Sequence, residues 1–169
     1  MAMGPNVLNL LMGCLVILAS VSDIATKTIP NWITLSGMAT AVMVHTAMRG
    51  AEGCLFSLGG IAVGISLLLP VYVFGGIGAG DVKLLGAIGG IVGPRDVLGV
   101  FAIACLVGGL YGVTVLLRHQ GLKKTFLVLL DRVHVRYKNA EWSAADLSPP
   151  TLRYGPVLAV GALAVWYWR

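Results

Sequence analysis

Residues 53–83 read GCLFSLGGIAVGISLLLPVYVFGGIGAGDVK. From Gly53 to Gly80 there is no Asp, Glu, Lys or Arg; then Asp81 and Lys83 arrive within three residues. A helix needs about 20 apolar residues to cross the hydrocarbon of a bilayer, and this run supplies them. It is not alone. Residues 1–22, 28–48, 97–117 and 154–168 are also free of charge, and a shorter such run occupies 84–94.

The composition says the same. Of 169 residues, 57% are hydrophobic and 11% charged, against about 25% charged in an average soluble domain. Mean hydropathy is +0.89. So little charge cannot clothe a water-soluble globule of this size, and an intrinsically disordered chain needs the opposite balance. The expected fold is all-α and polytopic in a membrane. About six transmembrane helices are expected, near 6–22, 32–48, 54–74, 82–93, 97–117 and 155–168, in one domain over 1–169. The fourth and sixth are short for a full crossing. The first apolar run lacks a basic start and is expected to stay as a span rather than be cleaved. Glycines four apart (Gly60/Gly64, Gly76/Gly80, Gly86/Gly90, Gly89/Gly93, Gly108/Gly112) predict closely packed helix backbones.

The charge distribution gives orientation. With six crossings, the loops on one face hold nine of the twelve Lys and Arg residues, including Lys27, Lys83 and seven between Arg118 and Arg153. That face is expected to be cytoplasmic, with both termini outside. The polar segment 118–153 precedes the last helix, and Leu122, Phe126, Leu129, Leu130 and Val133 recur there at the spacing of an interfacial amphipathic helix. The positive-inside bias accounts for the basic charge, so no nucleic-acid partner is implied. Cys14, Cys54 and Cys105 each lie in an apolar run and read as small apolar residues; no metal ligation is expected of them. His45 reads as a satisfied interfacial histidine, and Trp166, Tyr167 and Trp168 as an aromatic belt.

Of the seven acidic residues, five have ordinary polar surroundings. Asp23 and Asp81 differ: each borders a long apolar run on the basic face. Ionisable groups near membrane depth are costly and are functional candidates by default. Asp23 is followed by Ile29-Pro30-Asn31, where Pro30 suits the first turn of a new helix. Asp81 is preceded by Gly76-Ile77-Gly78-Ala79-Gly80, whose missing side chains let another backbone approach the carboxylate. Spacing admits two readings. The acids are helix-end charges paired with Lys27 and Lys83, or they form a pair that cannot easily ionise together. The second arrangement suits aspartic proteolysis: one carboxylate activates water and the other, protonated, polarises the scissile carbonyl.

Here the chain resembles the type IV prepilin peptidases, a branch of the GxGD membrane aspartic proteases. Three places carry the resemblance: Asp23 with Ile29-Pro30-Asn31, then Gly78-Ala79-Gly80-Asp81-Val82-Lys83-Leu84, then Tyr154-Gly155-Pro156-Val157-Leu158-Ala159. Arg153 stands where the family often has Pro. The resemblance implies a catalytic pair, Asp23 and Asp81, with Gly78, Gly80, Lys83, Pro30 and Asn31 shaping the site and no cofactor or metal. Lys83 is open to tuning Asp81, contacting substrate or snorkelling to the interface. The implied substrate is a prepilin or pseudopilin with a basic leader and a hydrophobic helix, cut at the cytoplasmic membrane face among membrane lipids. The cysteine-bearing insertion of the longer, methylating members has no counterpart here, so the short protease-only form is expected. Two other functions compete: a presenilin-like intramembrane protease, from which Ser22 before Asp23 and the Ile29-Pro30-Asn31 block point away, and a proton-coupled transporter or assembly scaffold.

Overall fold

A computed structural model describes residues 3–26, 28–73, 77–112, 114 and 154–168. The expected interfacial helix over 120–138, and the residues Lys27, Gly76 and Arg153, lie outside them. Every regular element among the described residues is a helix: α1 (Met3–Thr26), α2 (Asn31–Val73), α3 (Ala79–Val92), α4 (Asp96–Gly112) and α5 (Tyr154–Trp168). The chain divides into two compact units, residues 1–107 with 153–169, and residues 108–152. The first contains the site described below. Of the second, the described part is the end of α4.

α1 and α2 contain the two segments long and apolar enough to cross a membrane, Val7–Thr26 and Asn31–Val73. Their outward residues are apolar: Leu10 is 72% exposed and Leu55 71%. A surface of that kind is stable against lipid rather than water. The protein is a membrane protein.

α2 runs 43 residues, where two helices over 32–48 and 54–74 were expected. Helical hydrogen bonding continues on both sides of a single break at Gly50, whose φ of 60° and ψ of −138° are not helical. Glycine takes this backbone conformation without the clash a Cβ would bring. The break reverses the chain. A Cβ on Gly86 of α3 would meet both Met38 and Ile65, and one on Gly90 both Ala41 and Ile61. The first half of α2 is therefore read upward along α3 while the second is read downward, and α3 packs against both.

The glycines make that clamp tight. A Cβ on Gly60 would strike the carbonyl of Gly89, one on Gly89 the carbonyl of Gly60, and one on Gly64 the carbonyl of Leu85 at 2.5 Å. Backbone thus lies on backbone, the close approach that small residues four apart permit in lipid. Val82 and every residue from Leu84 to Val92 are buried. Ala41 from α2, Met12 and Ala19 from α1, Val97 and Val100 from α4 and Ala162 from α5 join the same core.

The last carbonyls of a helix have no partner within it. At the end of α3, the Gly93 N–H reaches the Gly89 carbonyl at 2.7 Å. Ser57 donates to the Gly90 carbonyl at 2.8 Å, and His45 Nε2 bonds the Ile91 carbonyl at 3.0 Å. Two side chains from opposite halves of α2 thus cap α3. Gly93, at φ 94°, lies against the Phe56 ring, which packs on His45 and carries the Arg49 guanidinium 5.6 Å from its centre. His45 is buried and bonded through Nε2, but its buried Nδ1 has no hydrogen-bond partner among the described residues, so the expected satisfied histidine is only half satisfied.

Candidate active site

At the opposite end of α3 four helix termini converge. α1 continues to Thr26, a turn beyond the expected end at residue 22, so Asp23 sits in its last turn. The link to α2 is tied down by hydroxyls: Ser22 donates to the Thr28 carbonyl at 2.9 Å, and Thr26 to the same carbonyl at 3.0 Å. These bonds fix the direction in which the chain leaves Asp23. α2 then starts at Asn31. Pro30 stands just ahead of it, and its carbonyl accepts the first helical bond from the Ile33 N–H at 3.1 Å. Ile29 is buried.

Asp81 occupies the first turn of α3, where the N-terminal dipole favours an acid. The extended Gly78 precedes the helix (φ −80°, ψ 153°), and its N–H donates to Asp81 Oδ2 at 3.3 Å. The carboxylate therefore closes back over its own helix start. The two glycines of the G-x-G-D stretch differ. A Cβ on Gly80 would lie 3.1 Å from the Ile29 Cβ, so Gly80 is where the two acid-bearing stretches touch. A Cβ on Gly78 would meet nothing closer than Asp81 Oδ2 at 3.5 Å. The expected steric demand holds for Gly80 and not for Gly78.

Asp23 is 6% exposed. Its Oδ2 accepts a hydrogen bond from the Gly155 N–H at 3.0 Å. Gly155 is in the first turn of α5, where backbone N–H groups lack helical partners and attract anions. The fit excludes a side chain: a Cβ on Gly155 would lie 2.9 Å from both Cβ and Oδ2 of Asp23. In the sequence, Tyr154-Gly155-Pro156 stood out only as part of the third stretch of the resemblance. The structure gives Gly155 a direct part in holding an acid.

Asp81 lies outside both helices long enough to cross a membrane and just before the apolar run that opens at Val82. Burial pushes its carboxyl up, the negative charge of Asp23 pushes it further, and the Gly78 N–H opposes both; it ends at about 6. The two acids are thus within electrostatic reach of each other. Beside Asp81, a cavity of about 40 Å³ is walled by Leu68, Phe101, Ala104, Tyr154 and Leu158 among others.

Lys83 is not used as a charge partner for Asp81. Its Nζ donates to Asn31 Oδ1 at 2.9 Å. Of the residues the sequence singled out, Asp23, Asp81, Ile29, Gly80, Asn31 and Lys83 thus meet at one end of the bundle. Gly155, Ser22 and Thr28 add to that group. Chemically, this arrangement offers one buried acid anchored by a backbone donor and a second whose proton is retained toward neutral pH.

Among known proteins, the chain is similar to the prepilin leader peptidase/N-methyltransferase of Bacillus subtilis strain 168, with 32% identity over 115 residues. That match covers 65% of this chain and 45% of the relative, so the chain spans less than half the relative's length. No solved structure matches it. The family model of the type IV leader peptidases matches residues 10–113, a stretch that carries both acids and the reversal at Gly50. On that match, the chain belongs to the type IV leader peptidase family.

Proposed function

We propose that this protein is a membrane-embedded aspartic endopeptidase that removes the basic leader from type IV prepilins or prepilin-like proteins, with Asp23 and Asp81 as its catalytic pair. One observation carries the reading: Asp23 and Asp81, 58 positions apart in a sequence with seven acids, come within electrostatic reach at one end of the bundle. Family membership supports the substrate class.

The chemistry follows from the two environments. Asp81, its carboxyl held up to about 6, is suited to keep a proton and donate it to the oxygen of the scissile carbonyl. Asp23, fixed by the Gly155 N–H, takes a proton from a water molecule as that water attacks the carbonyl carbon. The C–N bond then breaks. The proton held by Asp23 passes to the leaving amine, and Asp81 recovers its proton as the carbonyl re-forms.

We place the acid-bearing end at the cytoplasmic face, because the expected loops on that side hold nine of the twelve Lys and Arg residues. The two antiparallel halves of α2 count as two crossings and support a total of six, with both termini outside. The residues of the site need no cofactor for this chemistry.

The test is cleavage in vitro. The purified protein in detergent, given a peptide with a basic leader and an apolar segment, cuts at one position fixed by product mass. Asp23→Asn and Asp81→Asn each lose cleavage while still eluting as a single folded species. Normal cleavage by both single variants would remove the catalytic assignment.

A further inference from the structure

The helices that carry the two acids scarcely touch. α3 packs mainly on α2, and α1 packs on α2 and α5; the direct contact between α1 and α3 is slight. The separation of Asp23 from Asp81 is therefore set through intermediaries. On one side stands α5, whose Gly155 holds Asp23 and whose Tyr154 borders the cavity beside Asp81. On the other stands the start of α2. It begins eight residues after Asp23, with the intervening turn tied by Ser22, Thr26 and Thr28. It meets α3 at two points within one turn of Asp81: Ile29 against Gly80, and Asn31 hydrogen-bonded to Lys83. The first is a close steric contact without a polar partner. The second is directional and has an ionised donor, although it is exposed to its surroundings.

We propose that the Lys83–Asn31 hydrogen bond is a strap that fixes the spacing of the two acids. Lys83 and Asn31 are then positioning residues, and Lys83 acts neither as a substrate contact nor as a local charge on Asp81. The role presumes the proteolytic reading above, but the geometry it describes can be measured without catalysis.

The kinetic test uses purified full-length protein, the leader peptide and the variants Lys83→Met, Asn31→Ala, their double and Lys83→Arg. A strap predicts that each single variant loses tenfold or more in kcat with KM within about twofold, since a misplacement near 1 Å can cost on the order of 100-fold. The double falls no further than the worse single, and Lys83→Arg recovers most of the rate. The pH profile separates the mechanisms. Asp23, Tyr154 and Cys105 face Asp81 or its cavity. Releasing the strap lets Asp81 move away from Asp23 and toward water, so the high-pH limb shifts to lower pH in both single variants. If Lys83 acted as a local positive charge, Lys83→Met would shift that limb to higher pH and Asn31→Ala would leave it in place. A rise in KM at constant kcat would make Lys83 a substrate contact. Either result overturns the strap, as does wild-type behaviour in both single variants.

A second readout is independent of cleavage. Spin labels at Ile24→Cys and Ala79→Cys, both exposed positions beside the acids, are introduced with Cys14, Cys54 and Cys105 replaced by Ser. Dipolar broadening is expected to report a narrow distance distribution that widens in Lys83→Met. An unchanged distribution overturns the strap even if the protein cleaves. Widening in a protein that cleaves nothing keeps the strap and removes the proteolytic reading.

Discussion

The Gly155 N–H donates to Asp23 Oδ2 at 3.0 Å across 132 positions of sequence, joining the first turn of the last helix to the last turn of the first. The donor is a backbone group at a helix start, so it is rigidly aimed, and no side chain can be placed on that residue without entering the carboxylate. Replacing Gly155 with Ala sets a methyl 2.9 Å from Asp23 Cβ and Oδ2. Cleavage by Gly155→Ala is expected to fall by about 100-fold, mostly in kcat, as measured by timed peptide cleavage on protein that still elutes as a single species.

Within the G-x-G-D stretch the two glycines should separate. Gly80→Ala presses on Ile29 at 3.1 Å and is expected to lower cleavage clearly, whereas Gly78→Ala meets only ordinary van der Waals distances. Side-by-side cleavage assays of the two alanine variants check this.

Activity should depend on pH through Asp81. Its carboxyl titrates near 6 against an ordinary value of 3.8. If the protonated form is required, cleavage declines as pH rises through about 6. The stability effect has the same direction. Between about 3.8 and 6 the folded protein holds a proton on Asp81 that the unfolded chain has lost, so stability falls as pH rises across that window. Asp81→Asn removes this dependence: melting temperature should rise relative to wild type at pH 8 and match it more closely at pH 4. Thermal unfolding in detergent at several pH values is the measurement.

The far end of α3 should govern stability without governing chemistry. His45→Leu leaves the Ile91 carbonyl without its partner, an expected cost of about 1–3 kcal/mol. Cleavage per folded molecule should stay within about twofold of wild type, since His45 lies at the opposite end of α3 from Asp81. Melting temperature and single-turnover rate on the same preparation check the two halves of this expectation.

The backbone-on-backbone clamp makes a sharper stability contrast. A methyl at Gly60 meets the Gly89 carbonyl, while one at Gly13 finds nothing within 4 Å. Gly60→Ala is expected to destabilise by about 2 kcal/mol or more. Gly13→Ala should be neutral or stabilise by up to about 1 kcal/mol, because alanine is the better helix former. Thermal melts of the two variants in one detergent decide it.

Much of this architecture was legible in the sequence. Charge-free runs located the helices, and the scarcity of acids singled out Asp23 and Asp81. Glycine spacing anticipated close helix contact. What was hidden depends on closure between distant segments. Nothing local in Tyr154-Gly155-Pro156 indicates that its amide meets Asp23, although a glycine in the first turn of a helix is a usable hint where an anion must approach. Lys83 stands two residues from Asp81 and invited pairing with it, yet the turn at Thr28–Pro30 brings the Asn31 amide oxygen to it instead. Around Gly50, Arg49 and Glu52 read as a loop of several residues. One residue with positive φ performs the reversal, and both helices run up to it.

The brevity of α3 bears on depth. Fourteen residues span about 21 Å, less than the roughly 30 Å of bilayer hydrocarbon. A lone helix so short would force the bilayer to thin around it. α3 escapes that mismatch because Val82 and every residue from Leu84 to Val92 are buried within the protein. Asp81 stands in the first turn of that short helix, so the acid is carried by an element with no apolar turn to spare.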